Sequence, residues 1–330
     1  MPELVEMETP TPGSGEIVVK MEASGLCGTD LEKMRGEYTA SMPQVGHEAA
    51  GVISAVGRGV AGLREGDRVF PHHHVPCHEC FYCLHGNETA CEMYRGSNIY
   101  PGGFSEFFRV PAWNVSRGGV LRLPTNFGFE ELSLIEPVGC CIRALEKCRV
   151  NPDDFVLVVG AGPVGILHSI LLRSKHAKVA ISDVSEARLR FAEKTEVECV
   201  VNALKRDVAS EIKALTAGRG ADTVIVASGS HGAILQALGS VRTGGRVCLF
   251  GVPAKGSALD YDLSDIYSAE VSLIPSYGAT DSDTAAALNL IEANGERFRP
   301  IITHRFPVEE FEKAVETATS GEGMKVIVTH

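Results

Sequence analysis

Positive charge is in short supply in this chain. Its 31 Lys and Arg stand against 42 Asp and Glu, a net charge of −11. No Lys/Arg-rich block interrupts that balance, so a nucleic-acid backbone is not an expected partner. Long apolar runs are also missing: no uninterrupted stretch is long enough to span a bilayer. The opening MPELVEMETPTPGSGE is acidic and has neither a basic leader nor an apolar run, so no signal peptide and no membrane partner are expected, and the expected location is cytoplasmic. Internal repeats and low-complexity segments are absent. What remains is 330 residues, 44% hydrophobic and 22% charged. That is the composition of a globular enzyme with two ordinary domains, each able to bury its own core.

The ten cysteines are read as metal ligands or small buried apolar groups, since disulfides do not persist in a reducing compartment. Cys140, Cys141, Cys148, Cys199 and Cys248 fall on helix or strand patterns and are expected in the core.

Two textures divide the chain. Residues 16–125 carry short β-branched runs (IVVKMEA, AAGVISAVG, DRVF, FSEFFRV) separated by Gly, Pro and Asn, the pattern of a compact, partly antiparallel β-domain. From about Leu132 apolar strand-like runs alternate with helical stretches: 155–159, 179–182, 199–201, 223–227, 246–250 and 271–276. Buried parallel strands read as short continuous apolar runs joined by helical crossovers. The expected fold class is therefore α/β, with a six-stranded, doubly wound parallel sheet of the Rossmann kind in addition to a mainly β domain. The tail has helical patterns over 284–293 and 308–320 and a last strand over 326–329.

The first strand of the α/β region runs into VVGAGPVGILHSILL. Gly160, Gly162 and Gly165, with Pro163 and Val164 between them, satisfy G-x-G-x-x-G where a strand meets a helix. The first glycine makes the turn, the second admits a pyrophosphate and the third lets helix and strand pack, while the helix N-terminus receives the phosphates. Asp183 ends the next strand, 23 residues after Gly160, where a carboxylate can accept from an adenosine ribose. It would repel a 2′-phosphate, so NAD is favoured over NADP. Arg188 either covers the adenine or lines a solvated helix face.

Cys77, Cys80, Cys83 and Cys91 follow C-x2-C-x2-C-x7-C. Four thiolates in one loop close a tetrahedral Zn²⁺ site with no open position, which staples a lobe and performs no chemistry. The Pro-His-His-His run ending at His74 cannot direct three adjacent side chains at one ion, because alternate residues of an extended segment point oppositely.

Cys27-Gly28-Thr29-Asp30, Gly46-His47-Glu48, the spaced cysteines, Glu136-Pro137, VVGAGPVG and GGRVCLFG at 244–251 together resemble the zinc-dependent medium-chain dehydrogenases/reductases over nearly the whole chain. The resemblance implies a GroES-like catalytic domain (about 1–136 and 278–330, with a structural-zinc lobe at about 72–95) and a cofactor domain (137–277). It implies a catalytic zinc at the cleft between them, with Cys27, His47 and Glu48 as ligands and Glu136 as a fourth, exchangeable neighbour. Backbone around Phe250–Val252 and Ser276–Tyr277 would hold the nicotinamide carboxamide, and Thr29 would pass the alcohol proton outward. Glu-Pro at 136–137 resembles the sorbitol, sugar and polyol dehydrogenase branch, so the implied reaction is reversible NAD-linked oxidation of a secondary alcohol to a ketone. The strand near 271–277 resembles the edge that pairs in dimeric or tetrameric relatives.

Glu32 stands where several relatives carry a relay histidine, and either takes that role or is a solvated helix residue. His74, three before Cys77, matches a histidine that contacts substrate in threonine dehydrogenases; the other role open to it is loop packing. An L-threonine 3-dehydrogenase is the nearest alternative, but its usual Pro-Phe-Gly-Asn segment near Glu136 is absent. A primary alcohol dehydrogenase would carry cysteine at that position. A non-catalytic NAD-binding redox sensor would need none of Cys27, Thr29, His47 or Glu48.

Overall fold

A computed structural model describes residues 3–36 and 44–330. The chain forms two compact units, Met1–Cys140 with Gly278–His330, and Cys141–Tyr277. The first boundary falls inside the helix Ile135–Lys147.

The first unit is built on β1 (Ile17–Gly25), β2 (Glu48–Val56), β3 (Arg68–Pro71), β4 (Phe107–Val110) and β5 (Val120–Arg122). The chain then passes through the second unit by β6 (Phe155–Val159), β7 (Lys178–Asp183), β8 (Cys199–Asn202), β9 (Ala221–Val226), β10 (Val241–Leu249) and β11 (Ser272–Pro275). It returns to the first unit with β12 (Ile302–Pro307) and β13 (Lys325–Thr329).

β1, rich in β-branched and apolar residues, is the organising strand of the first unit. It pairs antiparallel with β2 along its length, from Ile17 opposite Val56 to Gly25 opposite Glu48. Its other edge is shared: β4 takes Ile17–Lys20 and β13 takes Ala23–Gly25. The sheet order is β12-β13-β1-β2-β3-β5, with β4 beside β1. Ile17, Val19, Met21, Ile53, Phe108, Val326 and Val328 fill one core beneath it. A smaller cluster of Cys77, Cys91 and Tyr94 belongs to the cysteine lobe.

The second unit is a six-stranded, all-parallel sheet in the order β11-β10-β9-β6-β7-β8. The order reverses between β6 and β9, the place where doubly wound sheets receive a ligand at the strands' carboxyl ends. Every residue of β6 is buried, as the unbroken apolar run FVLVV requires of a strand covered on both faces. A Rossmann sheet in one unit and a GroES-like β-domain in the other make the fold expected from the sequence.

The ends of elements moved. β10 begins at Val241 rather than Arg246, because its register shifts against β9 between those residues, and Gly244 there has φ +67°, a conformation glycine supplies without strain. The tail helix extends to Asp281–Phe298, started by a capping box of Thr280 and Asp283. β13 includes Lys325, one residue ahead of the apolar run. Among the described residues, no helix is long and apolar enough to cross a membrane.

Candidate active site

Cys27 ends the turn after β1 and caps the short helix Gly28–Met34, while Glu48 opens β2 and His47 immediately precedes it. Pairing β1 with β2 sets Gly25 opposite Glu48, so residues far apart in sequence meet. One ligand atom from each of Cys27, His47 and Glu48 lies within 4.8 Å of the others.

Asp30 locks this arrangement. Fully buried, it accepts from the Cys27 N–H (3.2 Å) and the Gly46 N–H (2.9 Å), and its Oδ1 lies 3.1 Å from His47 Nδ1. One carboxylate thus ties both halves of the trio together and leaves His47 Nε2 for another partner, the carboxylate–histidine arrangement of metal sites. Burial opposes a proton on His47, but the Asp30 charge and hydrogen bond outweigh it and hold its pKa well above the ordinary histidine value. Burial likewise works against ionised Asp30, and His47 with the Gly46 N–H overcomes it. A cation at Nε2 would take the place of that proton.

Glu48 is fully buried. One oxygen pairs with the Lys325 ammonium, and Oε1 has no hydrogen-bond partner among the described residues. An unpartnered buried carboxylate oxygen beside a thiol and an imidazole is costly unless a cation meets it. The donor set of one thiolate, one imidazole and one carboxylate suits zinc, with a fourth position left open.

Glu136, near the start of the helix Ile135–Lys147, is buried in the same unit but is outside this trio of converging atoms. Its Oε1 accepts from Cys140 Sγ at 3.2 Å. Burial pushes its pKa up, and the Glu48 charge adds to the push although His47 opposes it. Cys140 is therefore not simply a core residue as its helix pattern implied: it is half-buried and engaged with a carboxylate. Thr29 and Glu32 stand on the helix Gly28–Met34, and Glu32 is half-buried there.

The three histidines face three ways. His72 meets the Ala279 carbonyl oxygen (3.0 Å) and His74 meets that of Ser97 (2.8 Å). His73 turns toward the metal-type trio, its ring centroid 5.2 Å from that of His47. Of the two roles the sequence left open for His74, its contacts with Ser97 and Tyr94 are those of loop packing, while His73 stands beside His47. Burial drives His72 to about 3 and His74 to about 4, and lowers His73 well below the ordinary value, so all three are neutral at neutral pH.

In the lobe, Cys77, Cys80, Cys83 and Cys91 gather within 4.8 Å of one another. Cys83 Sγ lies 3.8 Å from Cys77 Sγ and 3.6 Å from Cys80 Sγ. Four sulfurs placed tetrahedrally around zinc, with bonds of about 2.3 Å, stand about 3.8 Å apart, so these sulfurs lie where zinc needs them. Backbone N–H groups of Glu79 and Cys80 point at Cys77 Sγ and hold its thiol down at about 6. Cys83 is pushed up to about 12 by burial and its neighbouring thiols, since four sulfurs this close do not all ionise without a cation among them.

In the second unit, β6 turns at Gly160 (φ +107°) into the helix Pro163–Ser174, with Pro163 in its first turn. A side chain at Gly165 would overlap the Gly160 carbonyl oxygen, whereas one at Gly162 would meet nothing within 4 Å. That room beside a helix N-terminus fits a pyrophosphate. Asp183, at the end of β7, accepts from the Ala161 N–H (2.7 Å) and the Ser185 N–H (2.8 Å), which fix its carboxylate next to the loop. Arg188 lies on the helix Glu186–Ala192. Phe250 follows β10, bonded to the Val226 carbonyl oxygen and edge-on to His168 at 4.6 Å; Val252 is 41% exposed.

A GroES-like sheet presenting a thiolate–imidazole–carboxylate trio, with a Rossmann unit carrying a dinucleotide loop, defines a zinc- and nicotinamide-type oxidoreductase. Comparison with known proteins agrees. Residues 13–122 match the family model for the alcohol dehydrogenase GroES-like domain, and 163–293 that for the zinc-binding dehydrogenase. An L-threonine 3-dehydrogenase of Coxiella burnetii is 32% identical over 328 residues, covering 97% of this chain and 93% of its own. A sorbitol dehydrogenase of Halalkalibacterium halodurans is 29% identical over 330 residues, covering 98% and 94%. An alcohol dehydrogenase from Thermus sp. ATN1 superposes with TM-score 0.84 at 26% identity, covering 99% of this chain and 95% of its own. The chain belongs to the zinc-dependent medium-chain dehydrogenases of the alcohol dehydrogenase superfamily.

Three residues escaped the sequence reading: Asp30, His73 and Lys325. Asp30 was visible inside C-G-T-D, but a carboxylate three residues after a cap position reads equally well as an ordinary first-turn acid. We expect Asp30→Asn to weaken zinc binding at the trio by about 10–100-fold while leaving the four-thiolate zinc in place. Zinc competition with a chromogenic chelator measures this; equal loss from both sites would mean that Asp30 merely supports the fold.

Proposed function

We propose that the protein catalyses the reversible, NAD-linked oxidation of a secondary alcohol to a ketone, with a polyol or sugar as the substrate class. The carbinol carbon gives a hydride to NAD⁺ and the hydroxyl gives up its proton, so one alcohol and one NAD⁺ yield one ketone, one NADH and one H⁺. The observation that carries the reading is the convergence of Cys27, His47 and Glu48, with a buried carboxylate oxygen of Glu48 that has no hydrogen-bond partner among the described residues.

In this reading the chain holds two zinc ions, one at the trio and one at Cys77, Cys80, Cys83 and Cys91. Zinc at the trio would supply Lewis acidity, lowering the pKa of the alcohol so that its proton leaves near neutral pH; NAD would supply the hydride acceptor. Asp30 keeps the His47 ring oriented with Nε2 toward the metal. Thr29, two residues after Cys27, accepts the hydroxyl proton by hydrogen bond and passes it outward. Glu136, kept as a carboxylic acid more readily than an exposed one, stands as the exchangeable neighbour. His73, neutral and beside His47, faces the alcohol. Gly160, Gly162 and Gly165 with the helix at Pro163 and Val164 cradle the pyrophosphate, and Asp183 takes the ribose hydroxyls and disfavours a 2′-phosphate. Arg188 lies by the adenine, and the backbone at Phe250 and Val252 holds the carboxamide. The working form is a cytoplasmic homodimer or homotetramer.

A second reading takes L-threonine as the substrate. It is favoured by the 32% identity to the Coxiella burnetii enzyme of that name, and threonine is itself a secondary alcohol, so the same residues would serve. NADH formation against polyols, sugars, L-threonine and simple alcohols decides between them. The polyol reading predicts turnover confined to one polyol or sugar group; a response to L-threonine alone would replace it with the second.

A further inference from the structure

β13 reads KVIVT, and the lysine is the anomaly. Lys325 is 4% exposed in a strand whose next three residues are fully in the core. A buried ammonium survives only where an anion and hydrogen-bond acceptors meet it. Lys325 has both, and both belong to the metal-type trio. Its Nζ is ion-paired with Glu48 Oε2 and donates to the carbonyl oxygen of Leu26 at 3.2 Å, the residue before Cys27.

The sheet explains how the lysine gets there. β13 and β2 lie on opposite edges of β1, so the side chains of Lys325 and Glu48 must pass over β1 to touch. They do so at Gly25, the β1 residue opposite Glu48. A Cβ on Gly25 would overlap Glu48 Oε2 and fall 2.7 Å from Lys325 Cε. The absence of a side chain there is what lets the pair form.

We propose that Lys325 is a positioning residue for the metal: its ammonium holds Glu48 by one oxygen, so the carboxylate offers the metal only Oε1 and remains releasable from it. This rests on the reading of Cys27, His47 and Glu48 as ligands. A carboxylate whose charge is shared with an ammonium donates more weakly to zinc than one with no other partner, and the two cations repel each other across it. The lysine therefore lowers metal affinity at the trio and keeps one ligand exchangeable. It also grips the carbonyl beside Cys27, so the thiolate and the carboxylate are held to one spacing.

The test compares zinc-loaded full-length protein with Lys325→Met, Lys325→Arg, Glu48→Gln and the Lys325→Met/Glu48→Gln pair. Zinc release to a chelator is measured, with Cys27→Ser identifying the trio's share of the signal, and the visible spectrum is recorded with Co²⁺ in place of zinc. Lys325→Met is expected to bind zinc at the trio about tenfold more tightly, because the ammonium no longer repels the metal across Glu48, and to shift the cobalt bands toward a fixed carboxylate ligand. Lys325→Arg, which keeps the charge, should resemble the parent, and in the Glu48→Gln background Lys325→Met should change nothing. Unchanged affinity and spectrum in Lys325→Met would overturn the proposal, as would an equal loss of zinc with and without Glu48, which a merely structural lysine would give. A parent protein that binds a single zinc per chain would overturn the ligand reading itself, a separate outcome.

Discussion

Replacing Cys27 by serine is expected to cut NADH formation about 10⁴-fold while leaving the fold and the four-thiolate zinc intact. The thiolate is the one soft ligand of the trio and the member that favours zinc over harder cations. On the proposed reaction, losing it would remove the Lewis acid that zinc would supply, and with it several kcal/mol of stabilisation as the alcohol gives up its proton; at about 1.36 kcal/mol per factor of ten, about 5 kcal/mol corresponds to about four decades. The structural cost is small, because Cys27 is half-buried at a helix cap and is not part of the core that Ile17, Met21 and Val328 build. Steady-state rates with zinc content per chain measure the effect. A variant that loses one zinc and keeps its rate would place the chemistry elsewhere.

The second large effect is expected at Gly165. In Gly165→Ala the new methyl would overlap the Gly160 carbonyl oxygen and stand 2.9 Å from the Gly160 carbonyl carbon. Both are backbone atoms of the loop itself, so no flexible side chain can yield. The helix Pro163–Ser174 must move off β6, at a cost of about 1–3 kcal/mol in stability. The N–H groups at its start then no longer meet a pyrophosphate together, and we expect NAD affinity to fall at least about 100-fold. Zinc content should not change, since both groups of candidate metal ligands lie in the other unit. Calorimetric titration with NAD checks this; unchanged affinity would mean that the dinucleotide does not use this loop.

What could be read from the chain beforehand was what the chain keeps local. The buried run FVLVV followed by Gly-x-Gly-x-x-Gly announces strand, turn and helix within one short stretch, because each glycine's role is set by its immediate neighbours. The four lobe cysteines are legible for the same reason: their spacing alone brings four sulfurs together. The trio was legible only through resemblance, since nothing local says that Cys27 and Glu48 face each other until β1 is paired with β2. Lys325 could not be found at all. Its partner, Glu48, lies at the other end of the sequence, and the contact exists because β13 inserts between β12 and β1 and because Gly25 leaves a gap. Which of the three adjacent histidines stands beside His47 was not legible for a related reason. Alternation says that neighbours point oppositely, but which of them faces inward depends on the turn that follows Pro71, and spacing from Cys77 does not reveal it.

The central claim is that a metal held by Cys27, His47 and Glu48 performs the alcohol chemistry. The most direct test is to strip the protein of metal and refill it with zinc in steps, following NADH formation with the best alcohol of the panel. The account predicts almost no turnover when zinc fills only the four-thiolate lobe, and activity that rises in proportion to occupancy of the second site. It also predicts no recovery at any zinc level in Cys27→Ser. Full turnover with the lobe alone filled, or with no zinc bound, would contradict it.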